Sequence, residues 1–284
     1  MDTTLRQRFT QSVPFDEFRV WGQQMRPVLL AAGIEPACLG ALEYVCTELL
    51  NNVVDHSSAA LAEVGFDWST DSVAFCIEDN GLGVFEVVRA AHGLTSLEDA
   101  ALLLLKGKVT SDPRRHTGEG LFFAARVCEW FCIQSSSLGL SLETPGAWAF
   151  ESPDERVAGT RIRTRVSRPN VPDLKRLFDE FCPQPELRFN RTLVQVGLLR
   201  HADGELVSRS QGKRLVLGLD RFTSVTFDFA GVERMKQGFA DEVFRVWREA
   251  HPGIQVDVTH VTADVDRMLR HVGFVPGPAL PPAA

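Results

Sequence analysis

The stretch Glu43–His56, reading EYVCTELLNNVVDH, constrains the chain more than any other. Tyr44, Val45, Leu49, Val53 and His56 recur at roughly helical spacing, which predicts a helix with one face turned to a core. Glu48 and Asn52 stand four apart, so a helix stacks them on a common face, and Asp55 and His56 follow on the next turn. Such polar groups on a mostly apolar helix are costly if buried without partners. Taken alone, the pattern fits a solvated polar stripe as well as it fits a site.

Two later stretches tip that balance. Val73–Ile77 is an apolar run that leads through Glu78 into Asp79-Asn80-Gly81-Leu82-Gly83, an acid followed by a Gly-x-Gly turn. Gly118-Glu119-Gly120-Leu121 opens a second apolar helical segment, Leu121–Phe131. Glycines ahead of a helix let backbone approach a phosphate, and the helix N-terminus offers unpaired N–H groups and a positive dipole end.

In this order and spacing the three motifs resemble the GHKL ATPases, which include gyrase B, MutL and sensor kinases. The resemblance covers roughly residues 15–167. It is nearest to the anti-sigma-factor serine kinases, whose helix carries Glu-x-x-x-Asn-x-x-x-His as Glu48, Asn52 and His56 do here. It implies a Bergerat ATP-binding fold, an α+β two-layer sandwich, with ATP and Mg²⁺ as cofactors. Asn52 would ligate the Mg²⁺, since an amide oxygen suits a hard cation. Glu48 would act as general base toward water or a substrate hydroxyl. Asp79 would accept the adenine amino proton, and Gly81 and Gly83 would leave room for the purine. Gly118, Gly120 and Leu121 would wrap the phosphates, with Thr117 and Glu119 in the same loop. Thr160 falls where the family places a threonine near adenine. The segment from 84 to 117 reads as a long connection with a helical patch, Leu97–Leu105, and corresponds to the family's ATP lid. Lys106, Lys108, Arg114 and Arg115 there can reach phosphate or stand solvated. His56 can orient Glu48 or pack as a helix-end imidazole.

Composition narrows the alternatives. A net charge of −7 disfavours a broad electrostatic grip on nucleic acid. No apolar run reaches the ~18 residues a membrane span needs. The first residues are polar, without a signal-peptide core. The six cysteines read as reduced core residues, which together with the rest points to a cytoplasmic protein.

Along the chain, residues 5–14 read as a basic and polar lead. Helices follow from about 15 to 32 and from Pro36, then a hairpin of strands 61–69 and 72–79. A helix leads into a strand over 121–136, and a second hairpin turns at Pro145-Gly146. Thr160–Val166 is a strand with one basic face of Arg161, Arg163 and Arg165. The first histidine is His56, inside the motif itself, so the upstream phosphoacceptor histidine of a two-component kinase is missing.

These signals divide the chain into an ATP-binding domain over 1–168, a linker with a short helix over 169–185, a second domain over 186–275 and a Pro-rich disordered tail over 276–284. The second domain alternates strands (Leu193–Leu199, Ser224–Phe229, Ile254–Val258) with helices (Leu206–Leu219, Gly238–Arg248, Val261–His271), a small α/β layer. Its Asp228-Phe229-Ala230-Gly231-Val232 stretch resembles the STAS-like fold of anti-anti-sigma factors. Those factors carry a phosphorylatable serine where this chain reads Glu233–Ala240 with no Ser or Thr. The overall reading is an Mg-ATP-binding signalling regulator, either an ATPase or a serine/threonine kinase acting on a regulatory protein partner. A homodimer is compatible with it. The alternative is a non-catalytic adaptor, with the STAS-like domain binding partners and nucleotide serving structurally.

Overall fold

The computed structural model describes residues 5–109, 118–144, 146–184, 188–199 and 205–275. The chain divides into two compact units, one of residues 1–101 and 109–178, the other of 102–108 and 179–284. The division falls inside a helix, Leu174–Phe181 (α7), where the sequence reads a linker with a short helix, and seven residues of the connection, 102–108, belong to the second unit.

The first unit is built on a seven-stranded sheet, β1 (Leu5–Ser12), β2 (Leu61–Trp68), β3 (Ser72–Asp79), β4 (Trp130–Ser136), β5 (Leu138–Glu143), β6 (Trp148–Glu151) and β7 (Val157–Ser167). Their order is β1-β2-β3-β7-β4-β5-β6, antiparallel at every pairing. In β3 the alternation is clean: Val73, Phe75, Ile77 and Asp79 are buried, and the residues between them half-buried. That is the period-2 signature of a sheet covered on one face.

Helices supply the cover. Asp16 caps a helical run made of α1 (Glu17–Arg19), a π turn (Val20–Met25) and α2 (Arg26–Ala31). Next comes α3 (Pro36–His56), with Pro36 in its first turn, where a missing N–H costs nothing. Its 21 residues make a rod of about 31 Å. Cys38, Leu42, Val45, Leu49 and Leu50 form its buried stripe, which packs on β3, β7 and α6 (Gly120–Val127). Two expectations need correction. Residues 5–12 are not a lead but the edge strand β1, paired along its whole length with β2. Residues 84–117 are not one connection, because Val84–Ala91 (α4) is a helix whose Phe85 and Val88 are buried, ahead of the expected helix Leu97–Leu105 (α5).

The second unit has a three-stranded parallel sheet in the order β10-β9-β8, formed by β8 (Arg191–Gln195), β9 (Ser224–Asp228) and β10 (Gln255–Thr259). β8 ends at Gln195, short of the expected Leu199, as the chain turns at Val196-Gly197. Central β9 buries Val225 and Phe227 completely, as a strand hydrogen-bonded on both sides does. The intervening helices are Arg209–Val216, held by a Ser208/Gln211 capping box, and the run Gln237–Asp241, Glu242–Trp247 and Arg248–Ala250. A last helix, Ala263–His271, is capped by Thr262. Phe227, Phe229 and Phe274 pack around Phe244, with ring centroids 5.0–6.1 Å away. Chain, sheets and helices together are a mixed α/β protein with a large antiparallel sheet. All six cysteines are free. Among the described residues no helix is long and apolar enough to cross a membrane.

Candidate functional site

Strand register builds the site. Ile77, Ile162 and Ile133 are cross-strand partners on β3, β7 and β4, all buried. Two residues further along each strand, on the same face, come Asp79, Thr160 and Ser135, with Thr160 and Ser135 directly paired. A hydrophobic row thus continues as a polar one at the end of the sheet. Next to it lies a bulge between Ser135 and Ser136, where Ser136 has a φ of 57°. Bulges of this kind re-aim side chains beside sites.

Asp79 is 5% exposed, and burial pushes its carboxyl up from the ordinary value. Opposing that rise, Gly81 N–H donates to its Oδ1 at 2.8 Å, and Thr160 donates through both backbone and hydroxyl. The Thr160 hydroxyl in turn accepts the Val84 N–H at 3.0 Å, fixing the start of α4. Ser135 Oγ is fully buried without a hydrogen-bond partner.

Glycines leave the space around this row. A Cβ on Gly159 would lie 2.4 Å from Asp79 Oδ1, one on Gly83 2.4 Å from Ser135 Oγ, and one on Gly81 2.0 Å from the Ser57 carbonyl oxygen. Gly83 also has a φ of 85°, which favours glycine. The loop is tied to the end of α3: Leu82 N–H donates to Ser57 O at 2.9 Å, and Asn80 Oδ1 accepts from Ala60 and Leu61, each at 3.0 Å.

The other glycine motif meets α3 about two and a half turns earlier. A Cβ on Gly120 would stand 1.9 Å from Glu48 Oε2, so the Glu48 carboxylate lies directly over the first residue of α6. Gly118, at φ 71°, and Glu119, the N-cap, lead into that helix, and Leu121 is half-buried in its first turn. Asn52 is half-buried on α3, one turn beyond Glu48 toward Ser57. Both glycine motifs therefore contact α3, one at Glu48 and the other at Ser57.

Lys106 and Lys108 have other contacts. Lys106 is 3% exposed and its Nζ donates to the carbonyls of Arg214 and Leu217, at 3.2 and 2.9 Å. Lys108 Nζ donates to Arg221 O at 2.7 Å and sits over the Phe222 ring. All of these partners lie in the second unit, within which both lysines also fall. Thr117, Arg114 and Arg115 lie outside the described residues, as does the tail 276–284. On β7, Arg161 forms a two-bond pair with Glu78 and Arg165 faces Glu129 at 3.6 Å, so much of the basic face is neutralised in place.

The sequence reading passes over Ser57, Asn80 and Ser135. Ser135 is recoverable from alternation, two residues past Ile133. Ser57 acts through its backbone carbonyl, which no side-chain pattern reports. Among the described residues no group of three or more His, Cys, Asp or Glu is placed to hold a metal ion. A cation held by one amide oxygen and completed by ligand phosphates and water needs no such group.

A family model described as a STAS-like domain of unknown function (DUF4325) matches residues 211–266, which include β9, β10 and the helices around them. The second unit thus contains a STAS-like domain. No curated protein matches the chain.

Proposed function

We infer that the first unit binds Mg-ATP in the manner of the GHKL family, and that the chain is a signalling regulator, an ATPase or a serine/threonine kinase acting on a partner protein. The observation that carries this reading is the junction at α3, where Glu48 lies over Gly120 and Ser57 meets the Asp79–Gly83 loop. Three motifs separate in sequence thus contact one another through a single helix. The residues fit the nucleotide. Gly81, Gly83 and Gly159 clear a cradle beside Asp79 and Thr160, and Ser135 adds a buried hydroxyl with bonding capacity to spare.

Bound Mg-ATP would supply an activated phosphoryl group. Asp79 would accept a proton from the purine's exocyclic amine, a hydrogen bond that guanine, with a carbonyl there, does not offer. The N–H groups at the start of α6 would face phosphate oxygens. Asn52 would hold the cation through its amide oxygen, and Glu48 would take the proton of the attacking hydroxyl or water.

Incubation with γ-labelled ATP tests the reading. Phosphate release or protein labelling is expected from the wild type, with a loss of about a hundredfold in Glu48→Gln. Turnover unchanged in Glu48→Gln would remove Glu48 from the chemistry. The adaptor reading draws on Lys106 and Lys108, two expected lid cations that bond within the second unit. It predicts binding without turnover in both proteins.

A further inference from the structure

The second unit lacks the serine expected ahead of helix Gln237–Asp241, yet it builds another nucleophile at the carboxyl ends of its strands. His260 directly follows β10, and its Nδ1 lies 2.8 Å from Asp228 Oδ1, the last residue of the neighbouring strand β9. Asp228 is 8% exposed, and the same oxygen accepts the Ala230 N–H at 2.9 Å. An oxygen that accepts from the backbone is an acceptor toward the ring as well, so Nδ1 carries the proton and Nε2 the lone pair. A carboxylate that accepts from one ring nitrogen fixes the tautomer and orientation of the imidazole and leaves the lone pair of the other nitrogen available.

Three further features single out this pair. The His260 side chain is 64% exposed, so Nε2 is open to an incoming electrophile. His260 has a φ of 54°, a left-handed conformation that costs a non-glycine residue free energy and marks positions held for a reason. The carboxyl ends of parallel strands are where α/β sheets carry their chemistry. The backbone there is firmly tied: Phe229 N–H donates to Thr259 O at 3.0 Å, Val196 N–H to Asp228 O at 2.9 Å, and the Thr262 hydroxyl to Glu233 O at 2.7 Å. His251 lacks this arrangement, since its Nδ1 meets the Trp247 carbonyl and its ring stacks on Trp247.

We propose that His260 is a phosphoryl-acceptor site, oriented by Asp228 and charged from the γ-phosphoryl group of a nucleoside triphosphate. The Nε2 lone pair attacks the γ-phosphorus, and a new N–P bond forms. The bond from that phosphorus to its bridging oxygen breaks, and the electron pair leaves on the nucleoside diphosphate. Asp228 offsets the positive charge on the phosphorylated ring until the Nδ1 proton passes to solvent. A nucleophile this exposed suits a donor group brought to it from elsewhere.

The test labels the full chain with γ-labelled ATP and, separately, with phosphoramidate, a small N–P donor whose leaving group is ammonia. A phosphorylated imidazole is acid-labile and alkali-stable, unlike a phosphoserine. The wild type is expected to take acid-labile label that His260→Gln loses and His251→Gln keeps. Asp228→Asn should slow labelling by about tenfold, with melting temperatures confirming that each variant is folded. Label from phosphoramidate alone, with no ATP binding, upholds His260 as the accepting residue but overturns its charging from a nucleoside triphosphate, together with the ATP reading of the first unit. ATP binding without acid-labile label from either donor overturns the acceptor site and leaves the ATP reading standing. Label that persists in His260→Gln also overturns it.

Discussion

Gly120 makes the plainest single-residue prediction. The nearest atoms to an alanine Cβ there belong to the Glu48 side chain, with Oε2 closest at 1.9 Å, and that carboxylate can swing away. Gly120→Ala is therefore expected to melt within about 1 kcal/mol of the wild type, while ATP turnover falls by about a hundredfold because Glu48 is displaced. Gly81→Ala and Gly159→Ala behave in the opposite way. Their methyls meet backbone oxygens of Ser57 and Asp79, at 2.0 and 2.3 Å, which cannot move aside. Each should cost about 1–3 kcal/mol of stability in a denaturant titration. Asp79 adds a pH signature. Burial raises its carboxyl above the ordinary 3.8, so the native state holds that proton more tightly than the unfolded chain does. Below 3.8 both states are protonated and nothing is lost; as pH rises through the raised native value, stability falls. Asp79→Asn lacks that loss. Its melting temperature should gain on the wild type between acid and neutral pH, while its ATP affinity drops.

Two elements carry contacts that their sequences announce poorly. Helix α7 answers to the short helix expected within the linker stretch, yet Phe178 packs its ring 5.4 Å from Tyr44 and 4.5 Å from Phe123, joining α3 and α6. Phe178→Ala should cost about 2–3 kcal/mol in a thermal melt, and no change would return α7 to the role of a linker. Lys106 looks like a lid cation because basic residues in loops are usually solvated. Its ammonium instead satisfies two carbonyls of the second unit. Lys106→Met should lower stability by about 1–3 kcal/mol and leave ATP affinity unchanged. Elements with strong periodicity were legible before any coordinates: α3 from its apolar stripe, β3 from its alternation, α6 from the glycines ahead of it. β1 was not, because Leu5–Ser12 is a polar edge strand whose partner β2 begins at Leu61, and its identity rests on pairing across that distance. α4 was hidden inside an expected loop, although Phe85 and Val88 stand at helical spacing.

Across the molecule, a helix-covered antiparallel sheet precedes a small parallel α/β unit containing a STAS-like domain. The polar row at the end of the large sheet was half legible, because Asp79 and Thr160 lie in recognisable motifs. Ser135 joins them only through strand register, and the α3 junction depends on the Ser57 carbonyl. The central claim is that this row and this junction hold Mg-ATP. The most direct measurement is calorimetric titration of ATP into the full chain, with and without Mg²⁺, for the wild type and Asn52→Ala. The account predicts binding that Mg²⁺ strengthens in the wild type, and a loss of that Mg²⁺ dependence in Asn52→Ala. No heat of binding in a folded wild-type chain, under either condition, would contradict it.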